Sequence, residues 1–496
     1  MTKALALLTL FLACTTQPDY NERRQALGGT GDCVVNSTPD DGIDDQDAIQ
    51  AALDERGCAL LDRPGVWDVV GKLGLSRVNG RFDALQLLGG QSIRCASPAV
   101  RLAFSGDADG NDWRGIAMYG DDNLIEGCLI DTSGLVNTEE QSHAVHLTDM
   151  PVHSGPSHHN TIRGNIFYHP QRGGTNTSLG GGDCIKAGGY STPSSTGASL
   201  TISLEVSGNH FVDCDRSGVA SIGGFRGLVI KGNIFYQTGD QDLDIEGNND
   251  GEDLVVSGNV FQAGVKSGGG FAVSLAAPNV RRAVFSDNVL NGRGLFVGGA
   301  KRLVISGNVI EQKQSGAPAL QVIKNVDEVI VVGNTIVRLS TALPQQVVTF
   351  THHNSGSPGT ILFSDNLVRS ETTTATTLNI QSALTVTLVG NRFEWAPPST
   401  PVGTTALVSV TGAARRTEAL VVTGNMFSGP VARPIQWHGK NAGMGAVTLT
   451  GNTAIGATGG AHCQEEPTGV NPLGPQVSSG NNWPAYQGSC TFSAGI

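Results

Sequence analysis

The chain has 496 residues, a net charge of −12, only 15% charged and 5% aromatic residues, and 67 glycines. The length exceeds what one compact core usually needs, and the charge content lies well below the ~25% of ordinary globular domains. Val, Ile, Thr, Ser, Asn and Gly dominate, which excludes a long helical protein and predicts many short strands joined by tight turns. No Lys/Arg run is present, so nucleic acid is not expected as a partner.

In chain order, the first segment reads as an export signal. Lys3 supplies a positive start, Ala4 to Leu12 form an apolar run too short to span a bilayer, and Ala13-Cys14 comes next. Phe11-Leu12-Ala13-Cys14 resembles a bacterial lipoprotein processing box. That resemblance implies a leader over residues 1–14 and lipidation of Cys14; cleavage nearby as an ordinary signal peptide is the other reading. Residues 15–31 read as a polar tether. The expectation is an exported protein at the outer membrane or cell surface, with a periplasmic or secreted location as the alternative. No later segment is apolar enough for a membrane-spanning helix.

Nine cysteines minus Cys14 leave eight, an even set that suits disulfides in an exported chain. Neighbour pairing in sequence order gives Cys33–Cys58, Cys95–Cys128, Cys184–Cys214 and Cys463–Cys490. The stretch DDQDAIQAALDERG, Asp44 to Gly57, is the one convincing helix. Ile49, Ala52 and Leu53 share a side, Asp residues crowd its start and Gly57 ends it. It is placed as a cap on the N-terminal end of the main body of the chain.

That body is built on a repeat: two or three β-formers, Gly-Asn or Asp-Asn, then more β-formers. It reads IRGNIF at Asn165 and VSGNHF at Asn209, and continues to VTGNMF at Asn425 and LTGNTA at Asn452, eleven copies mostly 24 to 34 residues apart. IEGCLI at Cys128 is an earlier copy lacking its Asn. A period of this size with no helix between copies predicts an all-β solenoid, a parallel β-helix of roughly twelve coils over residues 32–458. Gly-Asn marks a bend between strands, because Asn tolerates the left-handed backbone such a bend needs. Stacked Asn side chains can also bond from coil to coil, so these residues are structural. Residues 459–496 are assigned to a disulfide-stapled C-terminal cap.

One coil parses as Ala319–Asn325, Glu328–Val332 and Thr335–Leu339 around the bend at Asn334. The corresponding first strands of earlier coils are His143–Leu147, Asp183–Gly188, Gly218–Gly224 and Asp242–Asn248. Later ones are Phe271–Ala276 and Leu295–Gly299.

From Cys33 to Ala454 the sequence resembles the right-handed parallel β-helix superfamily that includes pectate lyases and polygalacturonases. The carrying residues are DDGIDDQDAIQAALDERG followed by ALLDRPGVWDV, and the middle stretches GGGDCIKAGG, DCDRSGVASIGG and DQDLDIEGNN. The resemblance implies a right-handed solenoid acting on polysaccharide, with its site in the middle stretches. The polygalacturonase pattern is broken here. Gly182-Asp183-Cys184 has one Asp before the Cys where that pattern has two, Arg216-Ser217-Gly218 lacks a His, and the Arg-x-Lys position near Leu243 to Ile245 is acidic.

In a strand, residues i, i+2 and i+4 share a face. With Leu243 and Ile245 inward, Asp242, Asp244 and Glu246 point outward; with Val145 and Ile185 inward, so do His146 and Lys186. Successive coils then present His146, Lys186, Ala220 and Asp244 in one column about 14 Å long, with Asp183, Asp215 and Arg216 at its edge. Three readings of the carboxylates stay open: a solvated face, a Ca²⁺ site formed by Asp242, Asp244 and Glu246, or an acid/base set. Lys186 is a salt-bridge partner or a base, and Arg216 pairs with Asp215 or clamps a substrate carboxylate. The catalytic candidates are Asp183, Lys186, Asp244 and Glu246; the substrate-binding candidates are His146, Asp215, Arg216 and Asp242. The expected function is cleavage of a polysaccharide by a lyase or a glycoside hydrolase, the alternative a non-catalytic, glycan-binding surface solenoid.

Overall fold

The structure is a computed structural model. It describes residues 33–71, 82–106, 113–135, 142–147, 157–169, 182–188, 201–246, 251–263, 270–277, 280–313, 316–323, 326–339, 345–351, 359–397, 406–412, 416–438, 443–464, 475–483, 487–488 and 493–494. The leader, Cys14 and the tether lie outside the described residues.

Each coil contributes one strand to each of three sheets. The first strands form a 15-stranded sheet (sheet 1), the second a 16-stranded sheet (sheet 2) and the third a 14-stranded sheet (sheet 3). Each interior strand pairs in parallel with the coil before and the coil after it. In the coil of Asn334, the strands are Leu320–Ile323, Glu328–Val332 and Thr335–Arg338. This is a parallel β-helix, an all-β solenoid.

Alternation explains the interior. Glu328–Val332 buries every second side chain, and the inward residues of all three sheets merge into a single core that includes Val145, Ile185, Val219, Leu243, Ile245 and Val273. Within it Phe167, Phe211, Phe235 and Phe261 stack coil on coil at centroid distances of 5.1, 4.6 and 4.8 Å.

The Gly-Asn bends form a continuous ladder. Asn308 shows the unit: its backbone N–H and its Nδ2 both donate to Asn334 Oδ1 at 2.9 Å, and Nδ2 also donates to Phe285 O at 2.9 Å. Each rung therefore satisfies buried groups that the sharp bend would otherwise orphan. The ladder begins at Cys128, whose N–H donates to Asn165 Oδ1 at 3.0 Å. It runs past Asn452 to Asn481, which accepts from Asn452 at 2.9 and 2.8 Å. Strand pairing likewise continues past residue 458, through His462–Gln464 on sheet 1 and Gln476–Ser479 on sheet 2. Gly480-Asn481 is a twelfth bend. Its sequence obscures it, because Asn482 follows directly and Pro484 comes two residues later.

At the other end the helix spans Gln46–Arg56, with Ile49, Ala52 and Leu53 buried against the first coils and Gly57 closing it in the left-handed conformation. Disulfides Cys33–Cys58, Cys95–Cys128 and Cys184–Cys214 join neighbouring coils. Cys463 is also disulfide-bonded; Cys490 lies outside the described residues.

Candidate functional site

The register of sheet 1 brings the middle first strands together as a column. His146 pairs with Lys186, Lys186 with Ala220, Ala220 with Asp244 and Asp244 with Ser274. Val145, Ile185, Leu243 and Ile245 face the core, so these column residues face outward. Alternation alone suggests an open face, yet His146, Lys186 and Asp244 are 0%, 2% and 4% exposed. Only Glu246, at the end of Leu243–Glu246, is exposed. The site is recessed, with Glu246 at its open edge.

Two corrections concern partners. Arg216 does not pair with Asp215. Its Nε donates to Asp183 Oδ1 at 2.8 Å and its Nη2 to Asp183 Oδ2 at 3.0 Å, a two-pronged grip on a carboxylate that is itself fully buried. Asp183 lies two residues before Ile185, a coil away from Arg216, so no linear reading would pair them. Asp242, in turn, does not share the face of Asp244. It is 0% exposed and forms an ion pair with the equally buried Arg293 at 2.8 Å, while Thr238 Oγ1 donates to its Oδ1. Burial pushes the Asp242 carboxyl up to about 6, and Arg293 and Thr238 oppose that rise. The strand begins only at Leu243, so alternation does not extend back to Asp242.

The same geometry weighs against the calcium reading. With the Asp242 oxygens turned to Arg293 and Thr238, the three carboxylates do not converge. Among the described residues no group of three or more His, Cys, Asp or Glu side chains is arranged to hold a metal ion.

A residue that the sequence does not single out is His143, two positions before Val145. It is buried, with its ring centroid 5.0 Å from that of His146. The Asp183 backbone N–H donates to His143 Nδ1 at 3.1 Å. Burial, then Lys186, His146 and Arg216, hold its pKa well below the ordinary value, so the ring is neutral. The 3.5 Å approach of Asp183 Oδ2 to the same nitrogen is therefore a packing contact, since a neutral Nδ1 already accepting a hydrogen bond has no proton to share. Behind it His169 is driven down to about 4 by burial. Its ring lies between Thr132 Oγ1 at 2.5 Å and Ser142 Oγ at 3.4 Å. Asp215 is buried beside Arg216.

Two glycines permit the close approach of these coils. A Cβ on Gly182, just before Asp183, would lie 1.2 Å from Ser142 O and 2.7 Å from His169 Nε2. Gly188 has φ +101°, and a Cβ there would lie 1.8 Å from Ile222 O; its carbonyl lies 3.3 Å from His146 Nε2.

Asp244 is the electrostatic centre. Burial pushes its carboxyl up to about 7; Glu246 adds to the rise, Arg216 opposes it, and Asp183 and Asp240 reinforce it. Among the described residues Asp244 Oδ1 is a buried atom with no hydrogen-bond partner. For Arg216 burial acts downward, but Asp183, Asp244 and Glu246 outweigh it and keep the guanidinium charged. The outcome is a carboxyl that holds its proton near neutral pH, next to an exposed carboxylate on the same face of one strand, steadied by an arginine that Asp183 locks in place. A carboxyl that keeps its proton near neutral pH is what a general acid requires.

The chain is thus a parallel β-helix with a recessed cluster of ionisable side chains on one sheet. No protein-family model matches it, and no curated protein matches it in sequence. Among solved structures, it is similar to the A-module of mannuronan C-5 epimerase AlgE6 from Azotobacter vinelandii, at 15% identity and TM-score 0.42, over 94% of this chain and 99% of that one. It is also similar to a tailspike protein mutant of E. coli bacteriophage HK620 in complex with pentasaccharide, at 12% identity and TM-score 0.45, over 84% of this chain and 76% of that one. A third is the catalytic unit of a GH87 alpha-1,3-glucanase from Streptomyces thermodiastaticus, at 15% identity and TM-score 0.39, over 92% of this chain and 70% of that one.

Proposed function

We propose that the protein is a polysaccharide-cleaving enzyme, and that the reaction is glycoside hydrolysis by two carboxyl groups. Asp244 is the general acid. Its proton passes to the glycosidic oxygen as the bond to the departing sugar breaks. Glu246, two residues along the strand and about 6.6 Å away at Cα, is the general base: it takes a proton from a water whose oxygen bonds the anomeric carbon as the glycosidic bond breaks, so both products end as free hydroxyls. Arg216 restrains the charge that Asp244 acquires when it gives up its proton. Lys186 and His146 line the recess on the preceding coils. The observation that carries this reading is the recessed, outward-facing Asp244 with its unpartnered oxygen and a pKa raised to about 7.

A lyase is less well supported. That reaction needs a cation in direct contact with a substrate carboxylate, whereas Arg216 Nε and Nη2 bond Asp183 and the guanidinium reaches Asp244 only through space. Export accompanies the proposal, since disulfides persist in oxidising compartments; lipidation at Cys14 is proposed with it. The test is a panel of neutral and uronate-containing polysaccharides, followed by new reducing ends and by the ultraviolet absorbance of unsaturated products. Reducing ends without absorbance, lost in Asp244→Asn and Glu246→Gln, are expected; unsaturated products would replace hydrolysis with elimination.

A further inference from the structure

Toward the C-terminus, sheet 1 changes chemistry. Six consecutive rungs contain no Asp, Glu, Lys, Arg or His: Phe271–Leu275, Gly294–Val297, Leu320–Ile323, Val348–Thr351, Leu378–Gln381 and Ala406–Thr411. The other two sheets of the same coils do carry charge, among them Arg302, Glu311, Glu328, Arg369 and Glu394. The lack of charge is therefore a property of this face and not of these coils.

The outward residues of those rungs continue the column that holds Asp244. Asp244 pairs with Ser274, and the register runs on through Phe296, Gln321, Thr349 and Asn379 to Ser409. Their neighbours along each strand, such as Val348 and Phe350 around Thr349, are core residues. Six steps at strand spacing make this row about 29 Å long. Gln321 and Asn379 make no side-chain hydrogen bond among the described residues. Thr349 is 3% exposed, and its hydroxyl is a buried atom with no partner there. Gln321 and Asn379 are half-buried, so their free amides and the unpartnered Thr349 hydroxyl can bond a ligand that both donates and accepts.

We propose that this row is a binding track for an uncharged polysaccharide, so that the chain cut at Asp244 carries hydroxyl groups and no carboxylates. This rests on the reading of Asp244 and Glu246 as the cleavage site, and extends it to substrate class. Sugar hydroxyls match the mixed donor and acceptor capacity of Gln, Asn, Thr and Ser. A uronate would bring a carboxylate on ring after ring to a face with no cation on six rungs, and burying a carboxylate without a partner is costly. Phe296, half-buried in the row, offers one ring face for a sugar to stack on.

The experiment uses the full chain carrying Asp244→Asn, so that bound glycan is not cut. It is presented to an array of neutral glucans, galactans, xylans and mannans, together with polygalacturonate and alginate. Retention of a neutral chain and of neither acidic one is expected. Added Gln321→Ala with Asn379→Ala, or the near-isosteric Asn379→Asp, should raise the Kd for that chain about tenfold or more. Arg302→Ala, on sheet 2, should leave it unchanged. Retention of the acidic chains, retention of nothing, or an unmoved Kd in the track variants overturns the proposal. A wild-type chain that binds neutral glycan through the track but cuts nothing would remove the cleavage reading alone. Cleavage that survives with no effect of the track variants on binding would remove the track alone.

Discussion

Asp244→Asn separates a buried, proton-holding carboxyl from a merely solvated one. An aspartate at 3.8 in the unfolded chain and about 7 in the fold differs by roughly 3 pKa units, or about 4 kcal/mol. The sign is set by proton binding. Between those two values the folded chain holds the proton and the unfolded chain has released it, so stability falls as pH rises. The stabilisation is complete below the unfolded value and lost once pH passes about 7. Wild type should therefore lose about 4 kcal/mol more than the Asn variant between about pH 4 and pH 8.5, as read from denaturant unfolding of both proteins at the two pH values. Other titrating groups cancel in the comparison. In the enzyme assay the same variant should lose about 100-fold or more in kcat, the usual range for removal of a general acid. Wild-type activity should decline as pH rises through about 7. Glu246→Gln removes a repelling neighbour and should move any residual alkaline limb to lower pH. Parallel pH–stability curves for wild type and Asp244→Asn would refute the assignment of Asp244 as a recessed acid.

Arg216→Ala leaves Asp183 buried without its partner and should cost about 3 kcal/mol or more, seen as a lower denaturation midpoint; Arg216→Lys should recover only part, because one ammonium cannot replace the two-pronged grip. Asn308→Ala deletes a rung from the middle of the ladder and orphans its neighbours' buried groups. It should cost roughly 2–3 kcal/mol, with faster amide exchange confined to the flanking coils. Gly182→Ala would set a methyl group 1.2 Å from Ser142 O. It should displace Asp183 and lower both stability and activity, whereas Gly164→Ala, where nothing lies within 4 Å, should cost only the strain of its left-handed backbone.

The amino-acid sequence alone sets the solenoid. The Asn ladder, the alternation of the strands and the capping helix are local patterns, most of them repeated many times, and each repeat constrains the next. It also determined which side of Leu243–Glu246 faces outward, because a period of two leaves no choice once Leu243 and Ile245 are placed inside. How deep the outward residues lie, and which charges meet, depends on the packing of coil on coil. The pairings of Asp183 with Arg216 and of Asp242 with Arg293 join residues 33 and 51 positions apart, the latter across one intervening coil. Those partners are set by coil length and by the bulges and loops between strands, which no periodic pattern encodes. The recess around Asp244 has the same origin: exposure is a property of everything packed above a residue, and its raised pKa comes from that packing and not from the word DLDIEGN.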